Sequence, residues 1–444
     1  VILAAGLGTR MRSALPKAAH KIAGRPMLRH LLDAAEGVFF RITVVIGPEM
    51  EGLGALAAPH ATTIQHDRLG TAHAALSAAD AFGSGEVAIL FADNPLIRAE
   101  TLRRLIDARR AGGAGLALMA MRPADPARYG RLIVEDGPDG PAVQRIVEWA
   151  DATPDERAID LCNAGALCGP ADRLLGWLRE IRPDNAKGEY YLTDLVRLAV
   201  RDGARVVAVE ADEAELRGIN SRAELAAAEA VMQQRLRAAA MEGGATLTAP
   251  ETVFFAHDTV LGADTVVGPH VVFAGGVRVD GPAEIRAFSH LEGCHVQAGA
   301  VVGPYARLRP GTVVGQGAHV GNFVELKATT LGAGAKANHL TYLGDADVGA
   351  GTNIGAGTIT CNYDGFNKYR TTIGERVFVG SDSVLVAPVS LGDGAFVAAG
   401  SVITNDVEAD AMAFGRARQS NAIGRAREFR VKTSGVKDQP CGDA

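Results

Sequence analysis

Over the last third of this 444-residue chain a large apolar residue returns at every sixth position. Leu261, Val267, Phe273, Val279, Ile285 and Leu291 form one run, and Ile373, Val379, Leu385, Leu391, Val397 and Ile403 form another. Glycine often follows directly, as at Gly262, Gly268, Gly374, Gly380 and Gly392. A period of six suits neither a lone helix nor a lone strand, so it marks a repeat architecture. A chain that turns a corner at each such step builds a three-sided solenoid, with the apolar residue pointing inward and a small residue easing the turn. The pattern extends from about 251 to 407, roughly eight coils. Its phase slips between Leu291 and Val296, resumes through Val302, Leu308, Val314, Val320 and Leu326, and slips again near Leu331 and Val348. The stretch CNYDGFNKYRTT, between Thr360 and Ile373, is too long for one step and predicts an extruded loop.

Residues 1 to about 218 read differently. Strand-like segments (Val1–Ala4, Ile42–Ile46, Thr62–Gln65, Val87–Phe91, Gly115–Met121, Arg131–Val134, Val206–Val209) alternate with helical ones such as Pro26–Ala35 and Ala99–Arg110. Such alternation predicts an α/β domain with a mainly parallel, Rossmann-like sheet whose ligands sit at the carboxyl ends of the strands. Between the halves, Ser221–Met241 is almost free of breakers and opens with a capping box, Ser221 and Glu224, so it predicts a long helix serving as a spacer. The domains expected are 1–220, a helical linker 221–244, and a solenoid with its tail, 245–444. The tail after Asp406 has no period, and Lys432–Ala444 is expected to be mobile.

A net charge of −6 gives no basic footprint for nucleic acid, and the apolar runs are too short to span a membrane. Five cysteines, an odd count without metal-type spacing, together with a strand-like start at Val1, read as a cytoplasmic protein with free thiols. Only eight of the 45 basic residues are lysines, so Lys17, Lys327 and Lys368 stand out inside their motifs as sites for a compact ammonium.

Three features carry chemistry in the first half. LAAGLGTRM, Leu3–Met11, follows the first strand; glycines 6 and 8 admit an anion close to the backbone, while Arg10 and Lys17 add charge to neutralise a phosphate. Asp93 closes the strand-like VAILFAD, and Asn220 precedes the long helix. Mg²⁺ keeps several waters, so this sparse oxygen pair suffices when phosphates supply the rest. In the second half ARLRPG, VGNFVELKATT and AKANHLTYLGDA place Arg309, Lys327, His339 and Tyr342 on neighbouring coils, a cluster that a bare scaffold does not need.

Together these strings resemble the bifunctional bacterial N-acetylglucosamine-1-phosphate uridylyltransferase/glucosamine-1-phosphate acetyltransferase family, from Val1 to about Gln419. The resemblance implies a nucleotidyltransferase domain joined by a long helix to a left-handed parallel β-helix of hexapeptide repeats. It assigns Leu3, Ala4, Ala5, Gly6 and Lys17 to the nucleotide, Gln65, Gly70 and Thr71 to the uracil and its surroundings, and Asp93 and Asn220 to Mg²⁺. Gly130, Glu148 and Asn163 fall to the sugar nucleotide, with Arg10 and Lys17 supplying catalytic charge. Downstream it makes His339 the general base, with Glu325 to orient it. Arg309, Lys327 and Lys368 take the sugar phosphate, and Tyr342 and Asn353 shape the sugar pocket. Ala356, Asn362, Tyr363, Ser381, Ala399 and Arg416 hold acetyl-CoA. The implied partners are UTP, acetyl-CoA, glucosamine 1-phosphate and N-acetylglucosamine 1-phosphate, in a homotrimer with sites between subunits. One departure is visible: Phe91–Ala92 stand where the family carries Tyr-Gly, which removes a tyrosyl hydroxyl. A nucleotidyltransferase for another sugar, with the solenoid as a trimerisation scaffold, is the alternative; a binding subunit without chemistry is the second.

Overall fold

A computed structural model of the chain describes residues 1–126, 129–138, 140–185 and 187–434. It forms two compact units. The first takes in Val1–Gly243 with Val253–Thr259 and Phe273–Gly275, the second Gly244–Thr252, Val260–Val272 and the chain from Gly276 onward.

The first unit is built on a sheet in the order Val206–Glu210, Leu116–Met121, Cys162–Pro170, Glu86–Phe91, Ile2–Leu3, Thr43–Ile46, Ala61–Ile64. Every adjacent pair is parallel except those of Cys162–Pro170, which runs against both neighbours. Alternation along the strands splits the core in two. Ile2, Val44, Leu90 and Met119 face one layer, with Leu28, Leu31, Leu102 and Leu105 from the helices Met27–Glu36 and Ala99–Arg110. Leu3, Val45, Ile89 and Leu118 face the other, with Leu174, Trp177, Leu195 and Ala199 from Ala171–Glu180 and Asp194–Arg201. Helices therefore cover both faces, and the parallel strands point their carboxyl ends the same way.

Two antiparallel elements go beyond the sequence expectation. Gly140–Val147 pairs with Arg131–Gly137, and Cys162–Pro170 inserts mid-sheet. Both carry Gly and Pro at positions that hide a strand pattern, among them Gly140, Pro141, Gly165 and Pro170.

The long helix is Arg222–Glu242. It is not a free-standing spacer, because Leu225, Ala228, Val231 and Met232 pack with Ile22, Met27, Leu96 and Ile219. Gln233, 2 % exposed, exchanges hydrogen bonds with both the N–H and the carbonyl of Phe255. The capping box is shifted: Ser221 Oγ accepts from Glu224 N–H (3.2 Å), but the Glu224 carboxylate accepts from Asn220 N–H (2.6 Å) rather than from Ser221.

The second unit is a left-handed parallel β-helix with three flat sides. Among the described residues one flat carries ten strands, from Thr246–Leu247 to Met412–Ala413, and another eight, from Val260–Leu261 to Val389–Leu391. The periodic residues are its core: Val267, Ile285, Leu291, Val302, Leu308, Val314, Leu326, Val379, Leu385 and Val397 are all 0 % exposed, while Leu261 at the amino-terminal end is only half-buried. The ladder continues past the expected limit, with Met412–Ala413 paired to Phe396–Val397. The inserted loop is present, closed by an antiparallel bridge between Tyr363 and Lys368. The tail forms a helix over Arg425–Ser434; the rest of the segment expected to be mobile, with Cys441, lies outside the described residues. Cys162, Cys168, Cys294 and Cys361 are free thiols. No helix among the described residues is long and apolar enough to cross a membrane.

Candidate active sites

In the first unit the loops at the strand carboxyl ends enclose two adjoining pockets. One, of about 520 Å³, is lined by Leu3–Thr9, Lys17, Gln65, Arg68, Gly70, Thr71 and Asp93. The other, of about 320 Å³, is lined by Gly130, Glu148, Asn163, Tyr191, Thr193 and Asn220, and shares Thr71, Phe91, Asp93 and Glu189 with the first. Phe91 thus stands at the junction as an apolar divider, its ring against Gly165 at 3.0 Å from where a Cβ would be.

Gly8 adopts φ +61°, and a Cβ there would lie 2.7 Å from Lys17 Cβ, so a side chain would push the lysine away. At Gly6 the same construction meets nothing within 4 Å, which leaves backbone open to the larger pocket. Lys17 Nζ donates to Asp93 Oδ2 (2.5 Å) and to Asn220 Oδ1 (3.0 Å). Residues 203 positions apart meet here because Ile219 N–H pairs with the Asp93 carbonyl (2.9 Å) and Glu224 holds Asn220 N–H. One carboxylate and one amide oxygen therefore converge on a single cation.

That convergence fits a divalent ion, for which the Lys17 ammonium is the stand-in. Among the described residues no cluster of three or more His, Cys, Asp or Glu side chains exists to cage a metal. One carboxylate and one amide oxygen are enough for an ion that takes most of its oxygens from phosphates and water.

Across the smaller pocket Glu148 Oε1 accepts from Thr193 Oγ1 (3.0 Å). Burial lifts its carboxyl above the ordinary carboxylate range, and the Thr193 bond only partly opposes this. Asn163 is fixed by its N–H to the Gly130 carbonyl (2.8 Å) and by Oδ1 accepting from Gly165 N–H (3.1 Å). Arg10 is not brought into this group: it stands exposed on the turn Thr9–Met11, outside the residues lining either pocket. Arg68, Tyr191 and Thr193 line the pockets without having been singled out by any motif.

In the second unit His339 ends the strand Lys336–His339 at the edge where one flat turns into the next. Parallel pairing stacks Asn322 directly over it, and Asn322 Oδ1 lies 2.9 Å from His339 Nδ1. With that oxygen accepting, the neutral ring carries its hydrogen on Nδ1, and Nε2 is then the nitrogen able to accept a proton. Glu325 does not orient this histidine. It lies on the following flat, opposite Tyr342, and pairs with Arg309 (3.0 Å) and Arg307 (3.6 Å).

The same register makes a column down that edge. Ala337 stacks on Ile354, then Val379, Val397 and Ala413. Two residues further on in each coil come His339, Ala356, Ser381 and Ala399, with Arg416 just beyond. The Ala356 carbonyl accepts from Asp382 N–H (2.7 Å) and that of Ser381 from Gly400 N–H (2.8 Å), so the corners are tied coil to coil.

On the flat after the edge, Lys327 Nζ holds both oxygens of Asp345 (2.9 and 2.8 Å), and Asn362 Nδ2 donates to the same carboxylate (2.5 Å). Burial pushes the Asp345 carboxyl up, but these two bonds and the charges of Lys327 and Lys368 outweigh it and hold it below its usual value. Tyr342 runs along this flat: a Cβ on Gly344 would sit 2.4 Å from its hydroxyl. Asn353 lies on the preceding flat, between Lys336 and Phe378, and Tyr363 is exposed on the loop.

Comparison with known proteins places both halves. Residues 1–136 match the MobA-like NTP transferase domain, and residues 370–405 match the hexapeptide repeat of succinyl-transferase. The bifunctional protein GlmU of Gluconacetobacter diazotrophicus is 66 % identical over 99 % of this chain and 95 % of its own. That of Acidiphilium cryptum is 62 % identical over 97 % and 98 %, and that of Gluconobacter oxydans 60 % over 99 % and 98 %. The chain belongs to the bifunctional GlmU family. Such full-length similarity covers both pockets of the first unit and the His339 edge of the second, so neither half is an unrelated addition.

Proposed function

We propose that this GlmU-family chain makes UDP-N-acetylglucosamine with two centres, acetylating glucosamine 1-phosphate in the solenoid and uridylylating the product in the cleft. The observation that carries the reading is that one chain holds two chemically different constellations. Lys17, Asp93 and Asn220 close the glycine-loop cleft, while a histidine with an open Nε2 heads a column of small residues on the other unit.

In the cleft the Leu3–Gly6 backbone and Lys17 bind the triphosphate of UTP, with Gln65, Gly70 and Thr71 around the base. Gly130, Glu148 and Asn163 position N-acetylglucosamine 1-phosphate so that its phosphate oxygen attacks the α-phosphorus and pyrophosphate leaves. Mg²⁺, held by Asp93 and Asn220, would supply neutralisation of the phosphate charge. The chain's own part is alignment and exclusion of water, and no side-chain nucleophile is needed.

In the solenoid Arg309, Lys327 and Lys368 draw the phosphate of glucosamine 1-phosphate onto the flat that Tyr342 follows, and Asn353 shapes the approach to the sugar. The amine reaches His339, whose Nε2 takes its proton as nitrogen attacks the thioester carbonyl of acetyl-CoA. The thiol leaves along the edge, past Ala356, Ser381 and Ala399, with Asn362 and Tyr363 beside it and Arg416 at its phosphates. Four coil steps from His339 to Arg416 span roughly 19 Å at about 4.8 Å each, a length suited to an extended thioester arm. Assembly as a homotrimer is part of this proposal. Loss of thiol release with retained pyrophosphate release in His339→Ala tests it; equal loss of both would contradict it.

A further inference from the structure

The nucleotide pocket contains a polar trio that the scheme above uses only in part. Gln65 is 4 % exposed, and its own N–H pairs with the Ile46 carbonyl (2.8 Å). Its side-chain Nε2 lies 3.1 Å from the Gly70 carbonyl, an obligate acceptor, and 3.2 Å from His73 Nδ1. A backbone carbonyl can only accept, so the amide is oriented with its NH₂ toward these two groups. Oε1 is what remains for the pocket that Gln65 lines.

The anchors are themselves held. Gly70 has φ +126°, and a Cβ there would lie 2.6 Å from the Tyr190 carbonyl oxygen. Tyr190 N–H donates to the Leu69 carbonyl (2.8 Å), and Ala72 N–H donates to the Tyr190 carbonyl (2.9 Å). His73 is on the helix Thr71–Leu76 that follows, its ring tilted against Tyr190 with centroids 6.4 Å apart.

We propose that His73 is a positioning residue for base selection: through Gln65 it restricts this pocket to a base that offers a ring N–H. Uracil N3–H donates to an acceptor-only Oε1, whereas cytosine presents a lone pair at N3 and meets it with repulsion. Accommodating cytosine requires the amide to turn over, which sets Oε1 against the Gly70 carbonyl and makes the His73 ring change tautomer or lose its bond, so both inner bonds are disturbed. His73 supplies one of them, provided its ring carries hydrogen on Nε2 and leaves Nδ1 to accept. The inference rests on reading this cleft as the uridylyl site.

The test is a competition in one tube, with the full chain, Mg²⁺, N-acetylglucosamine 1-phosphate and equal UTP and CTP, scored as the ratio of the two nucleotide-sugar products. That ratio does not depend on how much of a variant is folded. His73→Ala should lower it about tenfold, the worth of one neutral hydrogen bond. His73→Asn places an amide oxygen near the position of Nδ1 and should restore most of the preference. An unchanged ratio in His73→Ala, or a fall in His73→Asn as deep as in His73→Ala, overturns the role of His73. If the unmodified chain makes no nucleotide sugar from either triphosphate, the reading of the cleft itself fails, and the inference with it.

Discussion

The cleft and the solenoid edge bring distant residues together by opposite means. In the first unit Lys17, Asp93 and Asn220 meet only because a sheet brings its strand ends to one rim, and their contact spans 203 positions. In the second, stacking converts sequence spacing into position: Asn322 and His339 are 17 positions apart and sit one above the other. A sheet rim can assemble any set of residues but hides the set in the sequence. A coil displays its neighbours openly, provided the phase is known.

If the two centres are chemically independent, single substitutions should separate them. The largest effect expected is from Asp93→Ala, which should cut pyrophosphate release by about 10³-fold while acetyl transfer, followed by thiol release, stays near normal. Loss of both would show that the two centres are coupled. His339→Ala should lower acetyl transfer by about 10²- to 10⁴-fold and spare pyrophosphate release. Asn322→Ala sharpens the picture of the edge. Without the oxygen at Nδ1 the ring samples the wrong tautomer, so acetyl transfer should fall about tenfold with the KM for glucosamine 1-phosphate little changed. A KM effect alone would contradict the tautomer argument.

The smallest effect concerns Glu148. Its carboxyl is raised by burial, so on acidification it takes up a proton at a higher pH than an ordinary glutamate at about 4.3. The protonated form no longer accepts two hydrogen bonds freely, so the KM for N-acetylglucosamine 1-phosphate should climb as pH falls through that raised value. Glu148→Gln should lack this acidic limb. The sign for stability is opposite. A carboxyl whose folded pKa is raised destabilises the fold while ionised, so Glu148→Gln should be slightly more heat-stable than the unmodified chain at neutral pH and equal to it in acid.

Much of this was legible in the residues. The sixfold period identified the solenoid core, and the alternation of strands and helices identified a sheet with both faces covered. What escaped has physical reasons. Cys162–Pro170 was missed because two of its glycines serve close contacts, Gly165 beneath the Phe91 ring and Gly169 against Leu116, instead of following the two-residue alternation of a strand. The resemblance sets Glu325 beside His339, but the coil stacks position 322 on 339 and carries 325 around the corner. Arg10 shares its string with Lys17, yet the turn Thr9–Met11 leaves it in solvent. The long helix reads as a spacer from its breaker-free run between the halves; Leu225, Ala228, Val231 and Met232 nevertheless form a stripe that packs against Ile22, Met27, Leu96 and Ile219.

The central claim is that each unit runs its own reaction. It is tested most directly by mass spectrometry of the products made from glucosamine 1-phosphate, isotopically labelled acetyl-CoA and UTP, with Mg²⁺ and then with the metal chelated. Two separate centres give UDP-N-acetylglucosamine carrying the label in the first case, and labelled N-acetylglucosamine 1-phosphate accumulating in the second. Chelation that stops acetylation as completely as uridylylation would contradict the claim.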